Sequence, residues 1–372
     1  MTLTRAYATA VILLLHNRYR VRGGEEQAVE DLRWLIETEL GERVEVLERD
    51  SAALSSRAAA GALLRGGADP DQVASAVRRT GARVVHAHNL NPAFGWRALA
   101  AARAAGARTV LHLHNYRLVC ANGICFTRGR DCVRCHGRNT APGVALNCRG
   151  GSRAEAAVYG AALAGWQGQV AAHVDRFVVP SAFALRRLRE LGAPVADTTV
   201  IPSVQRAFAP SSRAADGGFV LFAGRVAREK GVFDAIDACA AAGLPLVIAG
   251  DGPELEAVRA LGADARGRLD GAALADLRAR AAVAIVPSRY EEILPLAALE
   301  AMAAGLPVVA TRSGGLTELL PEEGLTDTAG LAARLTALWR DAAAGDRALA
   351  RVRDRCAPPA VAARLREAYT AA

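Results

Sequence analysis

Residues 287–311 read P-S-R-Y-E-E-I-L-P-L-A-A-L-E-A-M-A-A-G-L-P-V-V-A-T. The runs at 283–286, just before this stretch, and 307–310, at its end, have the apolar, β-rich composition of buried strands. Between them 296–304 has helical periodicity, with Pro295 near the first helical position. Strand, helix and strand in that order predict a parallel βαβ unit. Glu292 falls just before the helix and Glu300 inside it. A spacing of eight residues sets the two carboxylates about two turns apart on one face. The free N–H groups of Ile293 and Leu294, with the first helical turn, form a socket for phosphate or hydroxyl oxygens. Two helix-surface glutamates would be the plainer reading of an isolated pair. This pair lies between two strands and downstream of a second anion-binding signal, which argues for the socket.

That signal is G-R-V-A-R-E-K-G-V, residues 224–232. Lys230 is the sole lysine among 46 basic residues. A chain so rich in Ala, Arg and Gly has the composition of GC-rich coding, which drains lysine from indifferent positions. A lysine that survives supplies a compact point charge that a planar guanidinium does not replace. V-L-F-A (220–223) reads as a buried strand, Gly224 as a turn, and Gly231-Val232-Phe233 as a helix opening. Arg225 and Lys230 then lie on a strand-to-helix loop, where exposed N–H groups and the helix dipole favour an anion such as a diphosphate.

The same alternation fills the chain. Strand-like runs at 11–15, 44–47, 84–86, 109–112 and 176–179 are followed by others at 219–222, 245–248, 283–286 and 307–310. Helical periodicity occupies most gaps, as at 26–40, 93–105, 183–191 and 296–304. This pattern predicts an α/β protein of two Rossmann-like parallel-sheet domains facing a central cleft. A length of 372 residues suits two domains, and Pro, Ser, Ala and Gly cluster at 202–217. The expected division is 1–205, carrying a cysteine-rich insertion at 120–150, then 206–355, then a helix at 356–372 packing back on the first domain. No G-x-G-x-x-G follows the first strand. Gly23-Gly24-Glu25-Glu26 stands there instead, either admitting a ligand close to the backbone or simply turning the chain.

Apolar residues make up 52% of the sequence, ample for buried cores. The net charge of +8 suits an acidic partner, a nucleotide or an anionic membrane face, although arginine-rich composition alone also produces it. Nucleic acid is disfavoured because the arginines are scattered and aromatics amount to 5%. Residues 6–15 resemble a short signal-peptide core, but His16-Asn17-Arg18 follows with no small-residue cleavage site, so a first buried strand is expected. No stretch reaches the ~18–20 apolar residues that span a bilayer. A cytoplasmic protein is expected, with any membrane association peripheral and on the cytoplasmic face.

Five of the seven cysteines, Cys120, Cys125, Cys132, Cys135 and Cys148, fall close together in a chain without a secretion signal. Reduced thiols or a metal are therefore expected rather than a disulfide scaffold. Cys132-x-x-Cys135 has zinc-knuckle spacing, and Cys120 and Cys148 complete a tetrahedral set, with His136 and Cys125 as substitutes. A structural Zn2+, independent buried thiols, and a redox or iron–sulfur role are the three readings. Four thiolates leave no open position, so the metal would not be catalytic. Among the histidines, His86 and His88 end a strand, and His112 is expected to face the core.

With these motifs in view, the chain resembles glycosyltransferase family 4, retaining, nucleotide-sugar-dependent enzymes of the GT-B fold. In the C-terminal half the likeness rests on G-R-V-A-R-E-K-G, I-A-G-D-G-P (248–253), Glu292 to Glu300 with E-A-M-A-A-G-L-P-V-V-A-T, Gly314-Gly315 and Glu318. In the N-terminal half it rests on H-N-R-Y-R-V-R-G-G-E-E, V-V-H-A-H-N, H-N-Y-R-L-V-C-A-N-G and P-S-A-F. The resemblance implies that Arg225 and Lys230 hold the donor diphosphate and stabilise the leaving nucleoside diphosphate. It implies that Glu300 binds the ribose, and that Glu292 with the backbone of Ile293, Leu294, Pro295 and Leu296 grips the donor sugar. It also implies that Gly24 approaches the phosphates, that His114 faces the sugar, and that the base rests near Gly267 and Arg268. No cofactor is required for that chemistry.

Two departures stand out. Ile293-Leu294-Pro295 replaces the Gly and Phe-Gly often found after the first glutamate, and R-A-A-V-A at 280–284 lacks the usual Asp. The expected activity is sugar transfer from a nucleotide-sugar donor to a hydroxyl acceptor: a polysaccharide or lipid-linked intermediate, or a natural product. A nucleotide-sugar epimerase of the same fold is one alternative. A zinc-containing nucleic-acid-binding protein is another, and it leaves the second domain's motifs without purpose.

Overall fold

The computed structural model describes residues 11–18, 23–149 and 151–370. Residues 6–10 of the first apolar run, 19–22 of the loop after it, Gly150 of the insertion and 371–372 of the tail lie outside the described residues. In the first half the strands are β1 (Val11–Arg18), β2 (Arg43–Asp50), β3 (Ala82–Ala87), β4 (Arg108–His112), β5 (Phe126–Thr127), β6 (Arg130–Asp131), β7 (Arg176–Val179) and β8 (Thr198–Val200). All but β5 and β6 form one parallel sheet in the order β2-β1-β3-β4-β7-β8. Ile12, Leu13, Leu14 and Leu15 are fully enclosed, as a strand covered by helices on both faces must be.

The second half repeats the plan with β9 (Val220–Ala223), β10 (Leu246–Ala249), β11 (Asp264–Ala265), β12 (Val283–Val286), β13 (Val308–Thr311) and β14 (Leu325–Thr326). Their order is β11-β10-β9-β12-β13-β14, again parallel. The chain leaves β9 towards one edge and β12 towards the other. The crevice at the carboxyl ends of these two neighbours is thus a topological switch point, the position where open α/β sheets bind ligands. The loops carrying Lys230 and Glu292 emerge there.

The expected strands are present, some extended by one to three residues at an end, and those expected at 219–222, 245–248 and 307–310 shifted forward by one residue. The short edge strands β8, β11 and β14 carry too few residues for a period to register. The stretch 26–40 is a helix only over Gly24–Leu35, with a π-helical turn at Ile36–Leu40. The final helix, Pro358–Thr370, buries Val361, Ala362, Leu365, Ala368 and Tyr369 against Ile12, Leu14, Val84 and Val110 of the first sheet. Each large side chain so enclosed contributes about 1.5–3 kcal/mol. Among the described residues no helix is long and apolar enough to cross a membrane.

Candidate active site

Lys230 Nζ lies 2.7 Å from Glu292 Oε2, and the ammonium sits 5.1 Å from the centre of the Tyr290 ring. Burial favours the neutral amine, but the Glu292 carboxylate and the Tyr290 oxygen outweigh it and raise Lys230 above its ordinary value. Glu292 is itself buried, and Ser288 Oγ donates to its other oxygen through a short contact. Ser288 is fixed in turn by Thr311 Oγ1, which donates to its carbonyl at 2.6 Å. Arg225, exposed by about half, pairs with Glu229 through a short contact and lies in the same electrostatic neighbourhood as Tyr290.

Two glycines explain how the loops come so close. Gly231 has φ 73°, and a β-carbon there would stand 1.9 Å from the Pro287 carbonyl. Gly314 has φ 57°, and its β-carbon would meet the Glu292 backbone at 2.5–2.6 Å. Gly315 N–H donates to the Glu292 carbonyl at 2.6 Å. The G-G pair is therefore the floor beneath Glu292. The helix beyond spans Leu296–Ala303, with Pro295 one position before its first residue.

The two carboxylates of the opening motif meet different partners. Glu300, two turns on, pairs with Arg278 through a short contact. Burial pushes its carboxyl up, against the pull of Arg278. Gly24 faces this helix from the first domain, where a β-carbon would lie 2.9 Å from Leu296 Cδ1. Gly267 is buried and its carbonyl accepts the Gly250 N–H at 2.8 Å, while Arg268 is exposed at the rim.

The sequence reading used only the backbone of Ile293; its side chain packs into the core of the first domain with Tyr116 and Leu118. Ser181 Oγ of the P-S-A-F motif donates to the Ile293 carbonyl at 2.5 Å, and Phe183 N–H donates to Glu318 at 3.0 Å. Arg187 reaches Glu291 at 2.5 Å. The bulk at 293 is thus an interdomain anchor that leaves only its backbone for a ligand.

Across the cleft stands a ladder of imidazoles. His112 does not face the core: its ring stacks on His114 at 4.1 Å and lines an open pocket of about 810 Å3 with His88, His114, Trp96 and Trp166. His88 Nδ1 and His114 Nε2 are 2.8 Å apart, and His86 Nδ1 meets the Tyr369 hydroxyl at 2.8 Å. Burial, then the neighbouring imidazoles, pushes His88 and His114 well below the ordinary histidine range, and burial alone brings His112 to about 3. All are therefore neutral, each ring able to give one hydrogen bond and take one.

Only His114 was expected at the site; the cluster as a whole was missed, although the sequence carries a signal for it. H-x-H at the ends of two strands puts both rings of each pair on one face, and the β3–β4 register makes the pairs neighbours. Tyr290 and Ser288 lie within the opening stretch but carried no signal of their own. Arg278 sits in an unremarkable helix, Gly271–Arg280.

Paired parallel six-stranded sheets, with a cation-bearing loop at the switch point of the second, define an α/β protein of the two-domain Rossmann type. The chain belongs to the glycosyl transferase 4-like family, whose model matches residues 9–203, and the model of glycosyl transferases group 1 matches 218–341. It is 34% identical over 210 residues to glycogen synthase of Mycobacterium tuberculosis, covering 49% of either chain. It is 32% identical over 170 residues to a GDP-mannose-dependent alpha-mannosyltransferase of Mycolicibacterium smegmatis, covering 42% of this chain and 44% of that one. The chain thus spans about half the length of the curated relatives it matches. Among solved structures, sucrose-phosphate synthase from Thermosynechococcus elongatus superposes with a TM-score of 0.70 at 19% identity, covering 97% of this chain and 98% of that one. Anabaena HepE in complex with UDP and glucose gives 0.64 at 16%, covering 97% and 100%. At these identities the likeness is one of fold.

Proposed function

We propose that the protein is a retaining glycosyltransferase that moves a sugar from a nucleoside-diphosphate donor to a hydroxyl acceptor. The observation that carries this reading is the Lys230–Glu292 pair, 2.7 Å apart at the switch point of the second sheet and beside the amino end of the Leu296–Ala303 helix. Breaking the bond from the anomeric carbon to the diphosphate puts negative charge on the leaving oxygen and positive charge on the sugar. Lys230, Arg225 and the N–H groups entering the helix stabilise the first. A unit charge pair 4 Å apart is worth about 4 kcal/mol at an effective dielectric constant of about 20. The diphosphate takes the cations' free faces, while Glu292, whose oxygens accept from Lys230 and Ser288, uses their remaining lone pairs for the sugar hydroxyls. Glu300 takes the ribose, and the base rests over Gly267 and Arg268.

The acceptor lies in the pocket lined by the histidine ladder, with the neutral His114 giving or taking a hydrogen bond at the donor sugar. Glu25 is the acidic residue lining that pocket among the described residues. A double displacement would need such a carboxylate as nucleophile, whereas front-face transfer would not. No metal takes part in these steps. The second-domain motifs and the family match favour sugar transfer over both the epimerase and the nucleic-acid reading.

A thermal-shift screen of nucleotide sugars tests the proposal, because a true donor stabilises the folded chain by mass action, about 2.7 kcal/mol at a hundredfold excess over Kd. A shift with one donor, followed by transfer to a hydroxyl compound with retained configuration, is expected. No shift with any nucleotide or nucleotide sugar would reject the reading. The net charge of +8 further supports peripheral contact with an anionic membrane on the cytoplasmic side. Sedimentation with phosphatidylserine vesicles at low salt, lost as salt rises, is expected; absent or salt-independent binding contradicts it.

A further inference from the structure

The loop Glu291-Glu292-Ile293-Leu294 is shared between the two halves of the molecule. Ile293 is 7% exposed and packs in the first-domain core with Tyr116, Leu118 and Cys125. Its neighbour Leu294 packs against the core of the second domain. The loop carbonyls alternate in the same way. The Tyr116 hydroxyl approaches that of Glu291 at 3.5 Å, Gly315 N–H donates to that of Glu292 at 2.6 Å, and Ser181 Oγ donates to that of Ile293 at 2.5 Å. Tyr116 and Ser181 belong to the first domain, Gly315 to the second.

The first-domain partners are themselves fixed. Ser181 is buried and caps the helix Ala182–Glu190, its oxygen accepting from Ala184 N–H at 3.1 Å. Its one proton therefore goes to the Ile293 carbonyl. Arg187, on the same helix, pairs with Glu291 at 2.5 Å. Tyr116 is 1% exposed; its N–H donates to the Gly123 carbonyl and its carbonyl accepts from Cys120 N–H, both at 2.8 Å. The cysteine-rich segment thus braces this core, in which Cys120, Cys125 and Cys135 are buried. Among the described residues no three of its five sulfurs lie within 4.8 Å of one another, so the expected four-thiolate zinc set is not assembled.

Glu292 stands one residue before this anchor, with both oxygens on second-domain partners, Lys230 at 2.7 Å and Ser288 through a short contact. Consecutive Cα atoms are only about 3.8 Å apart. Drawing the first domain away from the second would therefore pull Ile293 from its core or Glu292 from Lys230 and Ser288.

We propose that Ile293 is a positioning residue. Seated in the first domain, it sets the Glu292 carboxylate for the donor sugar, so that the sugar is gripped only while the two domains are docked. This rests on the reading of Glu292 as the sugar-binding carboxylate. The nucleoside diphosphate part of the donor, held by Lys230, Arg225 and the helix N–H groups of the second domain, does not depend on Ile293.

Calorimetric titration of the full chain with UDP, GDP, UDP-glucose and GDP-mannose tests the proposal. In I293A the nucleotide sugar that wild-type protein binds should weaken about tenfold, the scale of a lost bond to a charged group, while its free nucleoside diphosphate changes by less than about threefold. I293V keeps most of the buried bulk and should restore binding close to that of wild type. Because Ile293 acts through Glu292, E292A and E292A/I293A should bind the nucleotide sugar equally weakly. Should I293A fail to fold, S181A, which withdraws the bond to the Ile293 carbonyl, should show the same split. Equal weakening of nucleotide sugar and free diphosphate, no weakening of either, additive losses in the double variant, or unfolding of both I293A and S181A overturns the proposal. Wild-type protein that binds neither nucleotide sugar is a different outcome: it fails the donor reading itself and this inference with it.

Discussion

Lys230 keeps one face on Glu292 and leaves about a quarter of its side chain open to the cleft. Replacing it with alanine removes the charge that the leaving diphosphate needs, while Ser288 still satisfies one oxygen of Glu292. K230A is therefore expected to remain folded and to lose turnover by about 10²–10³-fold, the cost of removing one preorganised donor to a developing anion. Unchanged steady-state transfer would remove Lys230 from the mechanism. This residue was legible because composition isolated it, and Glu292 because the helix boundary after it was marked by proline. Arg278 was not, since one arginine among 45 on a helix surface has no distinguishing context until the fold sets it against Glu300. The side-chain direction of Ile293 was equally hidden, because its burial is against the other domain.

Among the elements, the two strand-to-helix loops at the switch point depend on backbone contact rather than on side chains. G314A would force a β-carbon onto the Glu292 backbone at a left-handed φ. It is expected to cost at least about 2 kcal/mol of stability and to weaken donor binding, readable by denaturant unfolding and thermal shift. Stability equal to wild type would show that this floor is not needed. The ends of β3 and β4 predict a pH effect. Their histidines are neutral in the folded chain but gain protons near pH 6.5 once unfolded. Below that pH the unfolded state binds more protons, so stability falls from about pH 6.5 towards about 3, where His112 itself titrates. Above pH 6.5 their contribution is constant. Tm should decline between pH 6.5 and 5 and decline less steeply in H112N; a flat profile in wild-type protein contradicts this. The long central strands were readable from apolar runs, whereas β11 and β14, with two residues each, are defined only by their neighbours.

At the scale of the whole molecule, the helix Pro358–Thr370 packs on the back of the first sheet, and the Tyr369 hydroxyl hydrogen-bonds the buried His86 at Nδ1. Y369F removes that hydroxyl and leaves His86 Nδ1 without this partner, so a loss of about 1–3 kcal/mol in denaturant unfolding is expected. No loss would show that another group or water takes its place. The two-domain plan was legible because strands and helices alternate twice around a Pro/Ser/Ala/Gly-rich joint. The contacts between the halves, Ser181 to Ile293 and Arg187 to Glu291, were not, since they join residues more than 100 positions apart. The central claim is that a diphosphate sits between Lys230, Arg225 and the amino end of the Leu296–Ala303 helix. A crystal structure with a bound nucleoside diphosphate measures this directly. Phosphate oxygens within about 3.2 Å of Lys230 Nζ and of the backbone N–H groups entering that helix are predicted. A nucleotide bound elsewhere, with this crevice holding only solvent, would contradict it.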